Sequence, residues 1–231
     1  MICISIIART NEEALLKMEK SFPQADIIEL RIDYTRDIDL SELISTQRAG
    51  AYRNTPLLIT NRKIDEGGSF EGSERERVAL LKEAVDLGAE YVDIELSTED
   101  ALIEELLQKI LNRDNQVKLI ISHHDFNRTS SEKELKDKFN ECLKVGADIV
   151  KMVTYANSME DNLRVLELIS YAKRKNEEII AFCMGDLGRI SRVMAPFLGS
   201  YLSFASLEKG DESAPGQITI NDMKQIFRIL R

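Results

Sequence analysis

Short apolar runs rich in β-branched residues recur along the chain, and each is followed by a longer segment with apolar residues at helical spacing. Strands that are separated by single helices pair in parallel through right-handed crossovers. Eight such units favour a closed (β/α)8 barrel, an α/β fold, over an open sheet. The predicted strands span residues 2–8, 26–32, 56–61, 91–96, 117–122, 149–154, 179–183 and 201–205.

Two of the intervening helices have clear sequence boundaries. Ser131 followed by Glu134 forms a capping box, and Gly146 is the expected end of that helix. An apolar stripe over residues 78–85 is likewise expected to end at Gly88. No linker or low-complexity segment interrupts the alternation, so residues 1–231 are predicted to form a single barrel domain.

Three of the predicted strands share one pattern: alanine, an acidic residue, two large residues, then an ionisable residue. The pattern places Glu29, Asp93 and Lys151 late in their strands. Because side chains alternate along a strand, Glu29 and Arg31 share a face, as do Asp93 and Glu95. The active site of a (β/α)8 barrel lies at the late ends of its strands. The three ionisable residues are therefore expected at comparable depth near that site.

Charge and composition narrow the classes of function. The 231 residues include 31 lysines and arginines against 40 aspartates and glutamates, a formal net charge of −9. A negative surface repels phosphates, so a general nucleic-acid-binding protein is not expected. No apolar run approaches the roughly 18 residues of a membrane span, and the start of the chain lacks the basic segment of a signal peptide. A membrane partner is therefore not expected either.

The cysteines bear on the cellular compartment. Cys3, Cys142 and Cys183 are odd in number, lie far apart and form no Cys-x-x-Cys pair. This pattern favours buried thiols in a reducing environment over disulfides or a zinc cluster. We therefore expect a cytoplasmic protein.

Lys151 lies in an otherwise apolar segment, Ala147-Asp-Ile-Val-Lys-Met-Val-Thr154. An ammonium group is costly to bury unless it is paired. One interpretation is a structural lysine that either reaches solvent or forms an ion pair. The other is a Schiff-base nucleophile, because desolvation and nearby cations favour the neutral amine that attacks a ketone. The segment alone is compatible with both.

The chain's two histidines are adjacent, in Ile120-Ile-Ser-His-His-Asp-Phe126. Strand alternation places His124 on the same side as Ser122 and Ile120, with His123 opposite. One interpretation is a histidine that is hydrogen-bonded within a loop. The other is a general acid/base, since imidazole titrates near neutral pH. Without further histidines, a metal site is not indicated.

Cationic and flexible segments also cluster at the predicted strand ends. Arg31, Arg62 and Arg192 are each interpretable as a surface charge, but together they would make a forked receptor for a carboxylate or phosphate. Glu66-Gly-Gly68 follows Arg62 in a loop, and Ser213-Ala-Pro-Gly-Gln217 follows the last strand. The second of these segments is either a plain turn or part of a lid.

In combination, these motifs resemble the type I 3-dehydroquinate dehydratase family, over nearly the whole chain. The resemblance implies a (β/α)8 (TIM) barrel that works as a homodimer without metal or cofactor. It also implies the third step of the shikimate pathway towards aromatic amino acids, the loss of water from 3-dehydroquinate to give 3-dehydroshikimate. The motifs are Glu29-Leu-Arg31-Ile-Asp33, Thr60-Asn-Arg62 with Glu66-Gly-Gly68, His124-Asp-Phe126, Lys151, Ile190-Ser-Arg192 and Ser213-Ala-Pro-Gly-Gln217.

The resemblance also implies a role for each matching residue. Lys151 would form an imine with the substrate ketone, and His124 would be the general acid/base. Arg192 is expected to bind the substrate carboxylate, because its planar fork gives bidentate contacts. Glu66 and Asp93 are alternative candidates for orienting His124. The residues expected to hold the substrate are Ser5, Glu29, Arg31, Arg62, Arg192, Ser213 and Gln217.

Two other functions are compatible with parts of this pattern. Another Schiff-base barrel enzyme, such as an aldolase, would also use Lys151 but would release two carbonyl fragments instead of water. A non-catalytic barrel would bind a small anion through Arg31, Arg62 and Arg192. The co-occurrence of Lys151 and His124 argues against that second alternative.

Overall fold

The structure, a computed structural model, describes residues 1–49, 53–113 and 117–230. All eight predicted strands are present in it, and no boundary differs by more than two residues from its predicted position. The predicted (β/α)8 barrel is confirmed. The strands are β1 (Ile2–Ile7), β2 (Ile27–Arg31), β3 (Leu57–Thr60), β4 (Tyr91–Glu95), β5 (Lys118–His124), β6 (Ile149–Tyr155), β7 (Ile179–Met184), β8 (Ser203–Ser206) and β9 (Ile218–Thr219).

Helices surround the sheet, and the predicted signals mark where one of them begins and where two of them end. The Ser131 hydroxyl accepts from the Glu134 backbone N–H, and the Glu134 carboxylate accepts from the Ser131 N–H. Gly146 and Gly88 follow their helices with positive φ, as a glycine stop requires. The helices are α1 (Asn11–Ser21), α2 (Leu40–Ala49), α3 (Glu74–Leu87), α4 (Asp100–Leu111), α5 (Glu132–Lys144), α6 (Met159–Arg174), α7 (Arg189–Met194) and α8 (Ile220–Leu230).

The strands pair in parallel in the order β7-β6-β5-β4-β3-β2-β1-β8-β9. Between β7 and β8, the backbone N–H of Tyr201 donates to the Ile179 carbonyl at 2.7 Å. Inside the barrel, the rings of Phe182 and Phe204 lie 5.9 Å apart across this seam. These contacts bring the two ends of the eight-stranded sheet together. The short strand β9, which the sequence did not predict, extends the edge beyond β8.

The interior of the barrel changes character along the strands. Its lower part is an apolar layer that includes Cys3, Leu58 and Ile120. Two positions later on the same strands, alternation brings polar side chains inward, and Ser5, Thr60 and Ser122 are all buried there. Glu29 and Lys151 are buried at the same level, so we call this the charged layer, and it lies directly above the apolar layer. That arrangement positions the site described next.

The outer core lies between the strands and the helices and is almost entirely apolar. Within the described part of the chain, no helix combines the length and the apolar character that crossing a bilayer requires.

Candidate active site

A pocket with about 450 Å³ of empty space opens at the late ends of the strands. This is the edge at which (β/α)8 barrels carry their active sites. Ser5 and Asp93 contact its lining residues from below, through Glu29 and Lys151 respectively. The other candidate residues all line it: Glu29, Arg31, Arg62, Glu66, His124, Lys151, Arg192, Ser213 and Gln217.

Lys151 extends from β6 into the base of this pocket and is only 4% exposed. Its Nζ lies 2.8 Å from Asp93 Oδ2 and 3.6 Å from Glu29 Oε1. The ring of Phe204 covers the amine, with its centroid 4.5 Å from Nζ. The amine is thus shielded from bulk solvent and is ion-paired. The charged groups in contact with the Lys151 amine are carboxylates, and not the cations that were expected from the sequence.

Both carboxylates beneath the amine are held by further hydrogen bonds. Glu29 accepts from the hydroxyls of Ser5 and Thr60, the latter at 2.8 Å. Burial alone would raise the pKa of Glu29, but the charges of Lys151 and Arg31 outweigh it and lower that pKa. Glu29 is therefore ionised and already partnered.

Asp93 occupies the centre of the charged layer. It lies 2.8 Å from Arg62 Nη2 and accepts from Ser122 Oγ at 2.7 Å. Burial opposes its charge, but Arg62 and Lys151 together hold the pKa of Asp93 far below its ordinary value. The carboxylate is thus a fixed negative charge against the Lys151 amine.

His124 ends β5 and projects into the pocket beside Glu66. Glu66 Oε2 accepts from the His124 backbone N–H at 2.8 Å and lies 3.0 Å from Nδ1 of the ring. Burial, followed by the positive charge of Arg62, lowers the pKa of His124 to about 3. The imidazole is therefore neutral near pH 7, with its proton on Nδ1 facing Glu66 and Nε2 unprotonated.

Glu66, and not Asp93, is the carboxylate in contact with the catalytic histidine candidate. Its second oxygen accepts from Ser97 Oγ at 2.7 Å, so both oxygens are fixed. Burial would raise the pKa of Glu66, but the hydrogen bonds from His124 and Ser97 outweigh it and lower that pKa. His123 has the opposite orientation, as alternation predicts, and is absent from the pocket lining.

The three arginines differ in their partners. Arg31 forms a bidentate pair with Asp33 at 2.8 Å for both contacts. Arg62 binds Asp93 and, through Nη1, also Glu95 at 2.8 Å. Both guanidinium groups are therefore neutralised locally by carboxylates. Each lines the pocket, but neither offers an unbalanced positive charge.

Arg192 differs from these two arginines because no carboxylate neutralises it. Its side chain is buried, at 1% exposed, yet it forms no ion pair among the residues that the structure describes. Its Nη2 donates to the Pro215 carbonyl at 3.1 Å, and its guanidinium carbon lies 4.4 Å from the centroid of the Phe182 ring. Burial without a compensating anion lowers the pKa of Arg192 to about 10. The planar guanidinium of a buried arginine without an anionic partner has the chemistry to bind a carboxylate or phosphate.

Residues 207–217, which we call the strap, cross one side of the pocket between β8 and β9. Gln217 Oε1 accepts from the Ser213 backbone N–H at 2.7 Å, so these two candidate residues are held together. The Gly185 N–H donates to the Pro215 carbonyl at 3.2 Å. Gly216 has φ +76°, and a Cβ there would lie 2.2 Å from the Gly185 carbonyl oxygen. A side chain at Gly216 would therefore lift the strap off the barrel.

Comparison with known proteins agrees with this geometry. A family model described as Type I 3-dehydroquinase matches residues 2–231. The chain belongs to the type I 3-dehydroquinase family. Membership makes it an enzyme, a dehydratase of the hydro-lyase class.

Relatives in the type I 3-dehydroquinase family match over the full length. A 3-dehydroquinate dehydratase from Desulfotalea psychrophila is 39% identical over 226 residues, covering 98% of this chain and 96% of that protein. One from Methanocaldococcus jannaschii is 37% identical over 230 residues, covering 100% of this chain and 99% of that protein.

Solved structures of the family have the same architecture. The type I 3-dehydroquinate dehydratase from Clostridium difficile, solved with covalently modified comenic acid, has a TM-score of 0.89 at 29% identity and covers 99% of this chain and 91% of its own. The Geobacillus kaustophilus 3-dehydroquinate dehydratase has a TM-score of 0.87 at 30% identity, with 99% and 90% covered. A 3-hexulose-6-phosphate synthase, with a TM-score of 0.64 at 14% identity, shares the fold alone.

The sequence analysis missed part of the pocket of this family member. Phe182 and Phe204 form apolar walls, and Phe126 lies at the rim. The inward alternation of β7 and β8 is the signal that would have indicated the first two. Ser97, which fixes Glu66, follows β4 and carries no signal in the sequence.

Proposed function

We propose that the protein removes water from 3-dehydroquinate to give 3-dehydroshikimate, through an imine on Lys151. The observation that carries this proposal is that a buried amine and a neutral imidazole line one pocket. An anion receptor, Arg192, lines the same pocket. The substrate has a ketone for the amine, a carboxylate for the arginine and a hydroxyl to be lost.

Nζ of Lys151 attacks the ketone carbon, two of the three ammonium protons pass to the ketone oxygen, and that oxygen leaves as water, which gives a protonated imine. The imine is an electron sink next to the carbon that loses its proton. His124 accepts that proton on Nε2, and the electron pair enters the sink as an enamine. The electrons then return, the neighbouring hydroxyl leaves with a proton from His124, and hydrolysis of the imine frees Lys151 and the product.

Glu66 supports both steps of the proton transfer. Its hydrogen bond fixes the tautomer of His124, so that Nε2 is the basic atom, and its charge stabilises the imidazolium that forms. The acidic residues at the pocket do not repel an anionic substrate, because their charges are already balanced by cations or hydrogen-bonded to hydroxyls.

The relative from Clostridium difficile was solved with covalently modified comenic acid. A covalent modification in a relative supports a covalent mechanism. We further propose that this reaction is the third step of the shikimate pathway and that it takes place in the cytoplasm. The three cysteines are free and buried, which is compatible with a reducing compartment.

Borohydride trapping tests the proposed function. Added with 3-dehydroquinate, borohydride should reduce the imine to a secondary amine and leave a mass increment on the peptide that contains Lys151. The Lys151→Met variant should show neither trapping nor turnover. An unmodified wild-type peptide together with full turnover would overturn the mechanism.

The His124→Ala variant separates imine formation from proton transfer. We expect it to be trapped like the wild type, while its turnover falls on the order of 10²–10⁴-fold, the usual contribution of a general acid/base.

Product analysis of the wild type tests the aldolase alternative. Release of two carbonyl fragments, instead of the conjugated enone 3-dehydroshikimate, would identify an aldolase.

We also propose that the enzyme is a homodimer that associates through an apolar patch on α6 and the turn before α7. Met159 and Leu163 lie one turn apart on α6 and are 50% and 66% exposed. The Asn162 side chain donates to the Leu187 carbonyl, which places the exposed Leu187 and Ile190 beside them. Clustered exposed apolar residues mark association sites.

Sedimentation velocity tests the dimer. The wild type should sediment as a dimer and Leu163→Glu as a monomer. Leu16→Glu is the matched control, because Leu16 is 56% exposed on α1, on another face of the barrel. A monomeric wild type, or a Leu163→Glu variant that stays dimeric, would refute this interface.

A further inference from the structure

A row of alternating charges extends outward from the pocket, and its outer half has no role in the mechanism above. Lys151 contacts Asp93, Asp93 contacts Arg62, and Arg62 contacts Glu95. On its far side, Glu95 Oε2 lies 2.7 Å from Nη1 of Arg77, a residue of α3. The row thus connects the amine to a helix outside the barrel.

Arg77 is unusual for an arginine on a surface helix, because it is 1% exposed. Its Nη1 donates to the Asn61 carbonyl at 2.6 Å and its Nη2 to Thr98 Oγ1 at 2.8 Å. Nε and Nη2 also form a bidentate pair with Glu74, at 2.9 Å for both contacts. All three guanidinium nitrogens therefore have partners, and the group is fixed in one orientation.

Glu95 depends on this arginine for charge balance. Its side chain is fully buried, and its inner oxygen accepts from Arg62 and from the Lys63 backbone N–H at 3.0 Å. The outer oxygen faces Arg77. A buried carboxylate that loses one of two cationic partners draws the remaining partner towards itself.

Arg62 is that remaining partner, and its position matters for the chemistry. It divides its guanidinium between Glu95 and Ser122 on Nη1 and Asp93 on Nη2. A shift of Arg62 towards Glu95 would weaken its grip on Asp93, the carboxylate against the Lys151 amine. Displacements on the order of 1 Å at a reacting centre cost about 10²-fold in rate.

We propose that Arg77 is a positioning residue for imine formation, because it balances Glu95 and so leaves Arg62 to hold Asp93 against Lys151. This inference rests on the proposed Schiff-base function. Arg77 itself contacts no reacting atom. Its effect is therefore expected on the rate of imine formation more than on substrate binding.

The test is the rate of borohydride trapping in a single turnover at saturating 3-dehydroquinate. Arg77→Met should be trapped on the order of tenfold to a hundredfold more slowly than wild type, with a KM changed by no more than about threefold. The final fraction of trapped chains should equal that of the wild type. Arg77→Lys should recover most of the rate, since the charge facing Glu95 is restored.

Glu74→Gln is the matched control. It alters the exposed end of the row but keeps the contact between Arg77 and Glu95, so its trapping rate should stay within about twofold of wild type. The double variant R77M/E95Q covers the case in which Arg77→Met does not fold, because it leaves no unpaired buried charge. It should fold and be trapped at close to the wild-type rate, because the neutral amide introduced by E95Q no longer draws Arg62 away from Asp93.

Three outcomes would overturn the inference: a wild-type trapping rate in Arg77→Met, a tenfold or greater slowing in R77M/E95Q, or a loss of trapped fraction with no change in rate. The last result would mean that Arg77 serves folding alone. Absence of trapping in the wild type is a different result, because it would refute the proposed function itself.

Discussion

At the scale of single residues, Arg192 differs from the other two arginines of the pocket because it forms no ion pair with a carboxylate among the described residues. Arg31 and Arg62 also line the pocket, but each is neutralised by carboxylates at 2.8 Å. Arg192 is held between the Phe182 ring and the Pro215 carbonyl, so its charge is available to a ligand. The substrate carboxylate is therefore expected to bind there and to orient the ketone towards Lys151.

The first prediction is that Arg192→Ala lowers kcat/KM on the order of 10²–10³-fold, through both a higher KM and a lower kcat. Loss of a charged hydrogen-bonded partner weakens binding, and a misoriented ketone slows imine formation. Steady-state kinetics check this, with Arg189→Ala as control, because Arg189 is exposed and pairs only with Asp186 among the described residues. An unchanged kcat/KM in Arg192→Ala would remove this residue from the site.

Single residues also show how far the sequence alone could reach. Lys151 and His124 were identifiable because a lysine within an apolar strand and a histidine at a strand end conflict with local expectation. The partners of Arg62 were not, because Glu95 and Ser122 lie 33 and 60 positions away in the chain. The pairing of neighbouring strands determines that Arg62 is already neutralised, and that pairing is not visible in a single sequence. The choice between Glu66 and Asp93 as the partner of His124 depended on the same information.

At the scale of elements, the strap has an attachment that no motif indicated. Lys17 of α1 donates to the Ile7 carbonyl at 3.0 Å and to Asp211 at 2.9 Å. Asp211 precedes Ser213 by two residues, so this ion pair attaches the middle of the strap to the end of β1. A second attachment, four residues later, is made by the Pro215 carbonyl. The two attachments keep Ser213 and Gln217 at the pocket.

The second prediction is that Lys17→Met lowers kcat/KM about twofold to fivefold, the effect expected of a partly exposed ion pair. The wild type should lose a similar factor when ionic strength rises from about 0.05 M to about 0.5 M, and the variant should not. The double variant K17M/D211N should be no worse than Lys17→Met, because both changes remove one interaction.

Lys173→Met is the control for the strap, since Lys173 of α6 forms an ion pair at 2.8 Å with Glu178, the residue before β7. Its kcat/KM should equal that of the wild type. Equal salt dependence in Lys17→Met and wild type would show that the strap does not depend on this pair.

The ends of helices and strands could be predicted from the sequence only where local residues determine them. The helices α3 and α5 begin and end where capping residues indicate, because those signals are local. β5 continues two residues past its predicted end, to His124, since its last residues pair with β6 across the sheet. β9 has two residues and pairs only with β8 among the described strands, so it has no periodicity to detect.

At the scale of the whole molecule, an overall charge of −9 and an anionic substrate are compatible. Net charge acts through solvent, where it is screened within about 10 Å at moderate salt. A buried guanidinium acts at contact distance in a medium of low dielectric constant. We therefore expect Arg192, which forms no ion pair among the described residues, to decide the recognition of an anion, whereas net charge bears on solubility.

The third prediction concerns stability against acid. The protein has only two histidines, and burial lowers the pKa of both, that of His124 to about 3. Below the ordinary histidine value near 6.5, the unfolded chain binds protons that the folded chain does not. The free energy of unfolding must therefore fall as pH decreases from 7 to 5, by about 2 kcal/mol for His124 alone.

Urea unfolding at pH 7 and pH 5 measures this loss, and the histidines can be separated by substitution. His124→Asn should lose about 2 kcal/mol less than the wild type over this interval, because the titrating group is gone. The lowered pKa values of Glu29, Glu66 and Asp93 act in the same direction but at lower pH, as those carboxylates approach protonation. An identical pH dependence in wild type and His124→Asn would mean that the pKa of His124 is the same in the folded and the unfolded chain. A smaller loss in the wild type than in His124→Asn would mean that the ring is charged in the folded enzyme. A charged ring could not accept the substrate proton, and the proposed mechanism would then require a different base.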